Sequence, residues 1–442
     1  MHELALTYGD VMELQMGAQT WTVLSSPKAV HEAFIERGSD FAGRPMVPSM
    51  AVSSMGKGFA QAVPDASFRA LRRTAFTELF SPAAVDNARG MFDAEAQVLA
   101  MHLSSSGGVV ELRPALRRCV SNMVMRFAFS TRVPYASEGP AAARAADPRT
   151  RELVESADAI WQQLTAPAIT AADLITPTLA SAAHGPLREL VARRDTLLRA
   201  MIADRVAAGP SGGQDMLDRL LASGLDDVQV LYSLVDLFIA GVNTVAVALE
   251  WMLLLSTRHL YAQARARAEV VDPSATAGGD LRYVRALIDE TLRFKPPLLL
   301  PRMALRDTQV GGFAVPAGQV VFANSFALSF GEHLWRDPCA FRPTRWLEEE
   351  AALSGGVGAA AGSAASAPEA RCKFVPFSVG QRSCPGELLA RAELEAATVA
   401  LLRAVRWEAV GIVDLREEYS LTLVPARAQT LRFTKRDAAP AA

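Results

Sequence analysis

Hydrophobic and polar positions change rhythm along this chain, from a period of two near the N-terminus to a helical period beyond residue 67. Alternation runs through Val11-Met12-Glu13-Leu14-Gln15-Met16 and again through Thr20-Trp21-Thr22-Val23-Leu24, with a Gly-containing turn between them. A period of two turns every second side chain to one face of a strand, so the pair predicts a β-hairpin. Ser26-Pro27-Lys28 then starts a helix through Val30-His31-Glu32-Ala33-Phe34, with a hydroxyl to cap it and a proline suited to its first turn. Beyond Ser67, apolar residues recur at helical spacing over Met91–Leu103, Ala115–Ser130, Thr150–Leu164, Pro186–Ala207, Gln214–Ala222 and Asp227–Thr257. Short strand patterns return at Ala304–Val310, Val320–Ala323, Ser420–Val424 and Thr430–Phe433. The prediction is a mainly α protein with a small β region.

The stretch Leu231–Leu255 is apolar enough to suggest a membrane span, but it carries Asp236, Asn243 and Glu250. A carboxylate at the centre of a bilayer costs roughly 2.5–3.5 kcal/mol on insertion scales. The three polar residues are seven apart and drift only about 20° per heptad, so they form one stripe on an apolar helix. A buried helix whose stripe faces a cavity is expected.

With 442 residues, 50% of them hydrophobic, the chain can bury a deep core, and neither an internal repeat nor an interdomain linker divides it. One domain over 1–442 is predicted. Residues 349–368 are Ala/Gly/Ser-rich and predict a low-complexity surface loop, while 437–442 predict a disordered tail. Lys+Arg 45 against Asp+Glu 47 leaves a net charge of −2, which gives a nucleic acid nothing to hold. The start, Met1-His2-Glu3-Leu4-Ala5, carries no basic segment followed by an apolar one. As written, the chain predicts a soluble, cytoplasmic protein.

The four cysteines, Cys119, Cys339, Cys372 and Cys384, show no paired short spacing of a zinc site or disulfide scaffold, which suggests a reducing compartment. Cys384 stands apart. It lies in Phe377-Ser378-Val379-Gly380-Gln381-Arg382-Ser383-Cys384-Pro385-Gly386, directly before a helical run from Glu387 to about Ala400. A helix start favours the thiolate that binds metals, through its exposed amides and positive dipole end. Gly380 and Gly386 permit unusual turns and the close approach of something flat, and Arg382 can neutralise an anionic edge.

The pattern F-x-x-G-x-R-x-C-x-G resembles the heme-binding loop of the cytochrome P450 family, the heme-thiolate monooxygenases. The resemblance implies that Cys384 is the axial ligand of a heme b (iron protoporphyrin IX). The heme would be buried between a long distal helix, about 227–257, and the Cys-loop helix, about 387–400. Phe377, Arg382 and Gly386 would contact the cofactor. Glu290 and Arg293, at i and i+3 of a predicted helix Leu281–Phe294, resemble the family's E-x-x-R pair. Arg345, in Pro343-Thr344-Arg345-Trp346, matches the arginine that locks it, so the three would form a buried network supporting the cysteine loop.

Ile239-Ala240-Gly241-Val242-Asn243-Thr244 puts a glycine inside a helix, at a cost of about 1 kcal/mol against alanine. Packing against a neighbouring helix is one reason for it. The resemblance offers another: Ala240 and Gly241 leave room for dioxygen, and Thr244 relays protons, with Asn243 where the family usually carries an acid. Phe68-Arg69-Ala70-Leu71-Arg72-Arg73 is similar to the family's W-x-x-x-R helix, with Phe68 in place of tryptophan and Arg72 as a propionate partner. Arg302 stands at the place of a second propionate arginine. His333 has no metal-ligand partner, and Cys372 reads as incidental. The segments implied to form the substrate surface, Pro48–Ala66, Ala166–Leu179, Phe238–Thr244, Leu298–Leu300 and Leu421–Leu423, are mostly apolar.

The resemblance implies a monooxygenase that hydroxylates a hydrophobic organic substrate with O2. Electrons would come from NADPH-cytochrome P450 reductase or a ferredoxin-type donor. A P450-fold isomerase, dehydratase or peroxygenase needing no reductase, and a non-enzymatic heme sensor, are the alternatives. Tyr8-Gly9-Asp10-Val11, Phe41-Ala42-Gly43-Arg44-Pro45 and Pro376-Phe377-Ser378 are similar in wording to the eukaryotic microsomal branch. Such members carry an N-terminal anchor in the endoplasmic reticulum membrane, and membrane association is expected here only if the natural start lies further upstream.

Overall fold

A computed structural model of the chain describes residues 2–17, 19–105, 108–169, 173, 184–212, 215–271, 280–296, 300–353 and 368–436. The centre of the Ala/Gly/Ser-rich insert, the tail 437–442, most of Ala166–Leu179 beyond Ile169, and Leu298 with its neighbour at 299 lie outside the described residues.

The hairpin forms as the alternation predicts, β1 (Val11–Met16) against β2 (Gln19–Leu24), with Val11 opposite Leu24. β2 then pairs in parallel with a distant strand, Val320–Ala323, which pairs antiparallel with Arg302–Met303. The sheet thereby fixes the position of Arg302. The single strand expected over Ala304–Val310 is broken, because the Leu305 amide donates to the Asp40 carbonyl at 2.7 Å and leaves the ladder. Pairing resumes at Thr308–Val310, against Phe313–Val315. The strand expected at Ser420–Val424 is a tight hairpin instead, Glu417–Ser420 against Thr422–Pro425. Leu421 makes the turn with φ 56, which no glycine or asparagine announced in the sequence. Two further strands, Val109–Glu111 and Val405–Ala409, flank Thr430–Lys435.

Helices form the rest of the body. Ser26 caps Pro27–His31, accepting a hydrogen bond from the Ala29 amide. The distal helix spans Asp227–Arg258 and starts with a reciprocal cap between Asp226 and Gln229. It is the helix, among the described residues, that is long and apolar enough to cross a membrane, yet 78% of its most apolar window is buried inside the protein. Its polar stripe does not line one cavity as expected. Glu250 is taken by Arg113 (3.0 and 3.3 Å) and Asp236 by the Ala60 amide (2.9 Å), so neighbours satisfy both ends. Ala240, in the middle turn, is exposed, flanked by the half-buried Ile239 and Gly241.

The Cys-loop helix runs from Glu387 to Ala404, one turn beyond the periodicity's limit. It packs against Pro82–Ser105, and both contribute to one apolar core with the distal helix. Short helices at Pro48–Ser54, Leu260–Val271 and Thr344–Leu353 complete the frame around the site.

Candidate functional site

The loop ahead of Cys384 is tied by its own backbone. Cys384 N donates to the Phe377 carbonyl at 2.8 Å, and Ser383 N to the Gly380 carbonyl at 3.0 Å. Gly380 is obligatory: at φ 68 it lies so close to the chain ahead of it that a Cβ would stand 1.9 Å from the Phe34 carbonyl oxygen. Gly386 differs, since its Cβ would meet only the Cys384 Sγ, at 4.0 Å. Burial pushes the Cys384 thiol up to about 11, against the Gly386 amide and Arg72, which pull it down. The helix start therefore does not ionise this cysteine by itself. Its thiolate needs a stronger positive partner, such as a metal ion.

Arginines surround the loop. Arg72, on the helix Ala66–Thr74, donates both terminal nitrogens to the Ser383 carbonyl at 3.0 Å. Arg382 spans Ala42 (2.7 Å) and Ala62 (2.5 Å) with hydrogen bonds to their carbonyls. Arg302, fully buried, donates to Ser378 Oγ at 3.0 Å and to the Val379 carbonyl, with its guanidinium 3.7 Å from the centre of the Phe34 ring. Arg44 completes the group. It donates to the carbonyls of Ala60 (2.9 Å), Leu300 (3.1 Å) and Pro301 (2.8 Å).

Burial lowers all four guanidinium pKa values, Arg302 to about 9 and Arg382 to about 10. The charges acting on them are one another and, once ionised, Cys384, and no carboxylate among the described residues acts on them. Arg302 Nε and Nη1 and Arg382 Nη1 are buried without a hydrogen-bond partner. Unpaired buried cations beside a half-buried thiol call for an anionic, metal-containing group.

On the distal helix, the Thr244 hydroxyl donates to the Ala240 carbonyl at 2.6 Å, and Asn243 is buried. Of the two small residues expected to leave room for dioxygen, Ala240 is the exposed one. Gly241 is turned towards the helix Leu112–Phe129, where a Cβ would meet Val124 at 3.6 Å, so helix packing is its visible role.

The family model for cytochrome P450 matches residues 1–432. The chain belongs to the cytochrome P450 family. It is 31% identical over 430 residues to cytochrome P450 76M5 of Oryza sativa subsp. japonica, covering 91% of this chain and 80% of that one. It is 26% identical to carnosic acid synthase of Rosmarinus officinalis over 94% of this chain and 83% of the relative. With steroid 17-alpha-hydroxylase/17,20 lyase of Squalus acanthias the identity is 25%, over 89% and 78%. A zebra fish cytochrome P450 solved with progesterone superposes with a TM-score of 0.81 at 25% identity, covering 98% of both chains. The fold is the P450 fold, and the protein is an oxidoreductase of the monooxygenase class with a heme-iron cofactor and a redox partner as electron donor.

The P450's unpaired arginines and half-buried thiol fit such a cofactor: a cysteine could hold its iron and the arginines could meet the carboxylates of its edge. Behind the loop, Glu290 and Arg293 are fully buried and joined by two hydrogen bonds of 2.9 Å. Arg345 Nε adds a third at 3.1 Å. The arginines continue to the carbonyls of Ser329, Arg336, Asp337 and Ala340, not to the cysteine loop itself. The network reaches the segment just ahead of that loop through Trp346, which donates to Glu290 at 3.1 Å and packs on Phe374 with ring centres 4.5 Å apart. Phe377 stacks under Arg391 (4.9 Å), which is paired with Asp289.

Sequence reasoning missed Arg44, although Phe41-Ala42-Gly43-Arg44-Pro45 was noticed for its wording. The glycine was the available signal. A Cβ on Gly43 would stand 2.6 Å from the Met303 carbonyl, a close approach that brings Arg44 beside the Arg302 strand. His333 is exposed and Cys372 is buried in an apolar cluster, so neither belongs to the site.

Proposed function

We propose that this P450 hydroxylates an apolar small molecule, holding heme b through Cys384 and drawing electrons from NADPH-cytochrome P450 reductase. The observation that carries the reading is the group of four arginines without a carboxylate partner among the described residues, beside the half-buried Cys384 thiol. Cys384 would ligate the iron, and Arg72, Arg302 and Arg382 would neutralise the cofactor's carboxylates. When bound, the heme supplies the redox chemistry that activates dioxygen, and a thiolate ligand favours cleavage of the O–O bond.

The chain's own residues would do the rest. Ala240 keeps a side chain out of the space where dioxygen must fit. The Thr244 hydroxyl, with its proton given to the Ala240 carbonyl, keeps lone pairs that can accept a hydrogen bond and orient a proton-carrying water. Asn243 has no ionisable proton, so its carboxamide can orient that water but cannot replenish it. Protons must then come from solvent. Val52 and Leu421, from two of the segments expected to form the substrate surface, pack on the buried apolar cluster of Ile160, Leu164, Leu187 and Val191, and an apolar surface there would suit a hydrophobic substrate. One relative is named for hydroxylating a steroid, a largely apolar molecule.

The test is the difference spectrum of the reduced protein with carbon monoxide. A strongly red-shifted Soret band that vanishes in Cys384→Ala is expected, and its persistence in that variant rejects the assignment. Product formation tied to NADPH consumption with the reductase supports hydroxylation. Turnover with peroxide alone points to a peroxygenase, and turnover only with a ferredoxin replaces the proposed donor.

A further inference from the structure

Arg44 differs from the other three arginines in what it holds. Arg72 bonds the cysteine loop, Arg302 bonds the same loop from the sheet, and Arg382 reaches from the loop to Ala42 and Ala62. Among the described residues, Arg44 hydrogen-bonds no residue of the loop. Its Nε clasps the Ala60 carbonyl and its Nη1 the two carbonyls immediately before Arg302. The guanidinium lies deep in the protein and is lowered well below its usual value, by burial first and then by Arg382, Arg302 and Arg72. Yet the residue keeps some accessible surface.

The peptide that Arg44 grips is held from its other side by the distal helix. Ala60 N donates to Asp236 Oδ2 at 2.9 Å, and Gly58 approaches that carboxylate so closely that a Cβ would stand 2.2 Å from Oδ2. Asp236 and Ala240 are one helical turn apart on the same face. A continuous chain of contacts thus runs from the arginine group through Arg44 and the Ala60 peptide to the exposed turn of the distal helix.

Like charges this close repel unless an anion lies among them. We propose that Arg44 is a positioning residue for the carboxylate edge of the cofactor. Its guanidinium clamps the Gly58–Ala62 loop to the segment ahead of Arg302 once the carboxylates offset the arginines' repulsion, and so seats that loop on Asp236. The inference rests on the heme reading above and adds a residue that supports both faces of the site.

The test compares the holoprotein loaded with iron protoporphyrin IX against the same protein loaded with its dimethyl ester, which has the same ring and iron but no carboxylate charge. The readout is the rate at which each porphyrin passes to an acceptor protein in excess. Arg44→Met is expected to speed release of the diacid about tenfold or more and to change release of the diester less than about twofold. Arg44→Lys, which keeps the charge but not the fork, should fall between parent and Arg44→Met for the diacid. Should Arg44→Met not fold, Arg44→Lys must still discriminate the two porphyrins in the same direction. Equal acceleration with both porphyrins, or none with either, overturns the proposal. The parent's carbon monoxide spectrum, recorded alongside, separates this outcome from failure of the heme reading itself.

Discussion

The guanidinium carbon of Arg382 stands 4.0 Å from the centre of the Phe68 ring. The Phe68 ring serves as a platform for a buried cation that lacks a carboxylate partner among the described residues. Arg72 stands 5.8 Å from the same ring and 4.8 Å from that of Phe76. A desolvated cation–π contact contributes about 2 kcal/mol. Phe68→Leu, which keeps an apolar side chain but removes the π face, should lower the unfolding free energy by about that amount in urea titration. An unchanged midpoint and slope would show that Phe68 only fills space.

Glu290 accepts from five donors: Arg293 Nε and Nη2, Arg345 Nε, the Arg342 amide and Trp346 Nε1. Replacing one partner of a buried ion network strands the others as uncompensated charges, a loss of about 3–5 kcal/mol. Glu290→Gln should therefore give little or no soluble heme-loaded protein. Arg345→Lys, which retains the charge but forfeits contacts to three backbone carbonyls, should fold with a lower melting temperature. If Glu290→Gln melts within a few degrees of the parent, the network is not what holds this frame.

The parts of the site legible in the sequence are those that one short segment encodes. Gly380, Arg382 and Cys384 sit within five residues, so their local pattern marks them, whereas the i, i+3 spacing of Glu290 and Arg293 is common on helices and stands out only through the resemblance to the family's E-x-x-R pair and the Pro343–Trp346 segment. The hairpin and the distal helix are legible for the same reason, since periodicity is local. Arg44 was not, because its partners at Leu300 and Pro301 lie 256 and 257 residues away and are backbone carbonyls, which no side-chain pattern can mark. The turn at Leu421 was hidden because a leucine, not a glycine, carries the positive φ. The fate of the polar stripe on the distal helix was hidden too: whether Asp236 and Glu250 face a cavity or a neighbour depends on Ala60 and Arg113, which only the fold supplies.

Three glycines should respond to alanine in a graded way. At Gly380 a Cβ would overlap the Phe34 carbonyl, and the positive φ adds strain, so Gly380→Ala should prevent the loop from closing and abolish stable heme binding. At Gly58 the clash is with the Asp236 carboxylate, which must move, and a loss of about 1–3 kcal/mol is expected. Gly386→Ala meets only ordinary contact within the protein and should leave the stability of the cofactor-free fold within about 1 kcal/mol of the parent. Thermal unfolding of the three cofactor-free variants checks the order, and a Gly386→Ala more damaging than Gly58→Ala would contradict it.

Asp236 gives the protein a pH dependence with a definite sign. Burial pushes its carboxyl from 3.8 up to about 6, while the Ala60 and Phe59 amides and the Arg194 charge pull it down. Below about pH 4 the group is protonated whether the chain is folded or not, and it contributes its full relative stability. Between about 4 and 6 the unfolded chain ionises first, so this contribution is lost as the pH rises, and above about 6 the carboxylate is buried in its charged form. The swing corresponds to about 3 kcal/mol. Asp236→Asn cannot titrate, so its stability relative to the parent should rise by most of that amount between pH 4 and pH 7. A constant offset is expected as well, because the amide must turn an NH2 towards one of the two backbone donors. The offset does not depend on pH, and urea midpoints at several pH values separate it from the swing. Parallel stability curves for parent and variant across this range would mean that Asp236 is not buried in charged form against the Ala60 loop.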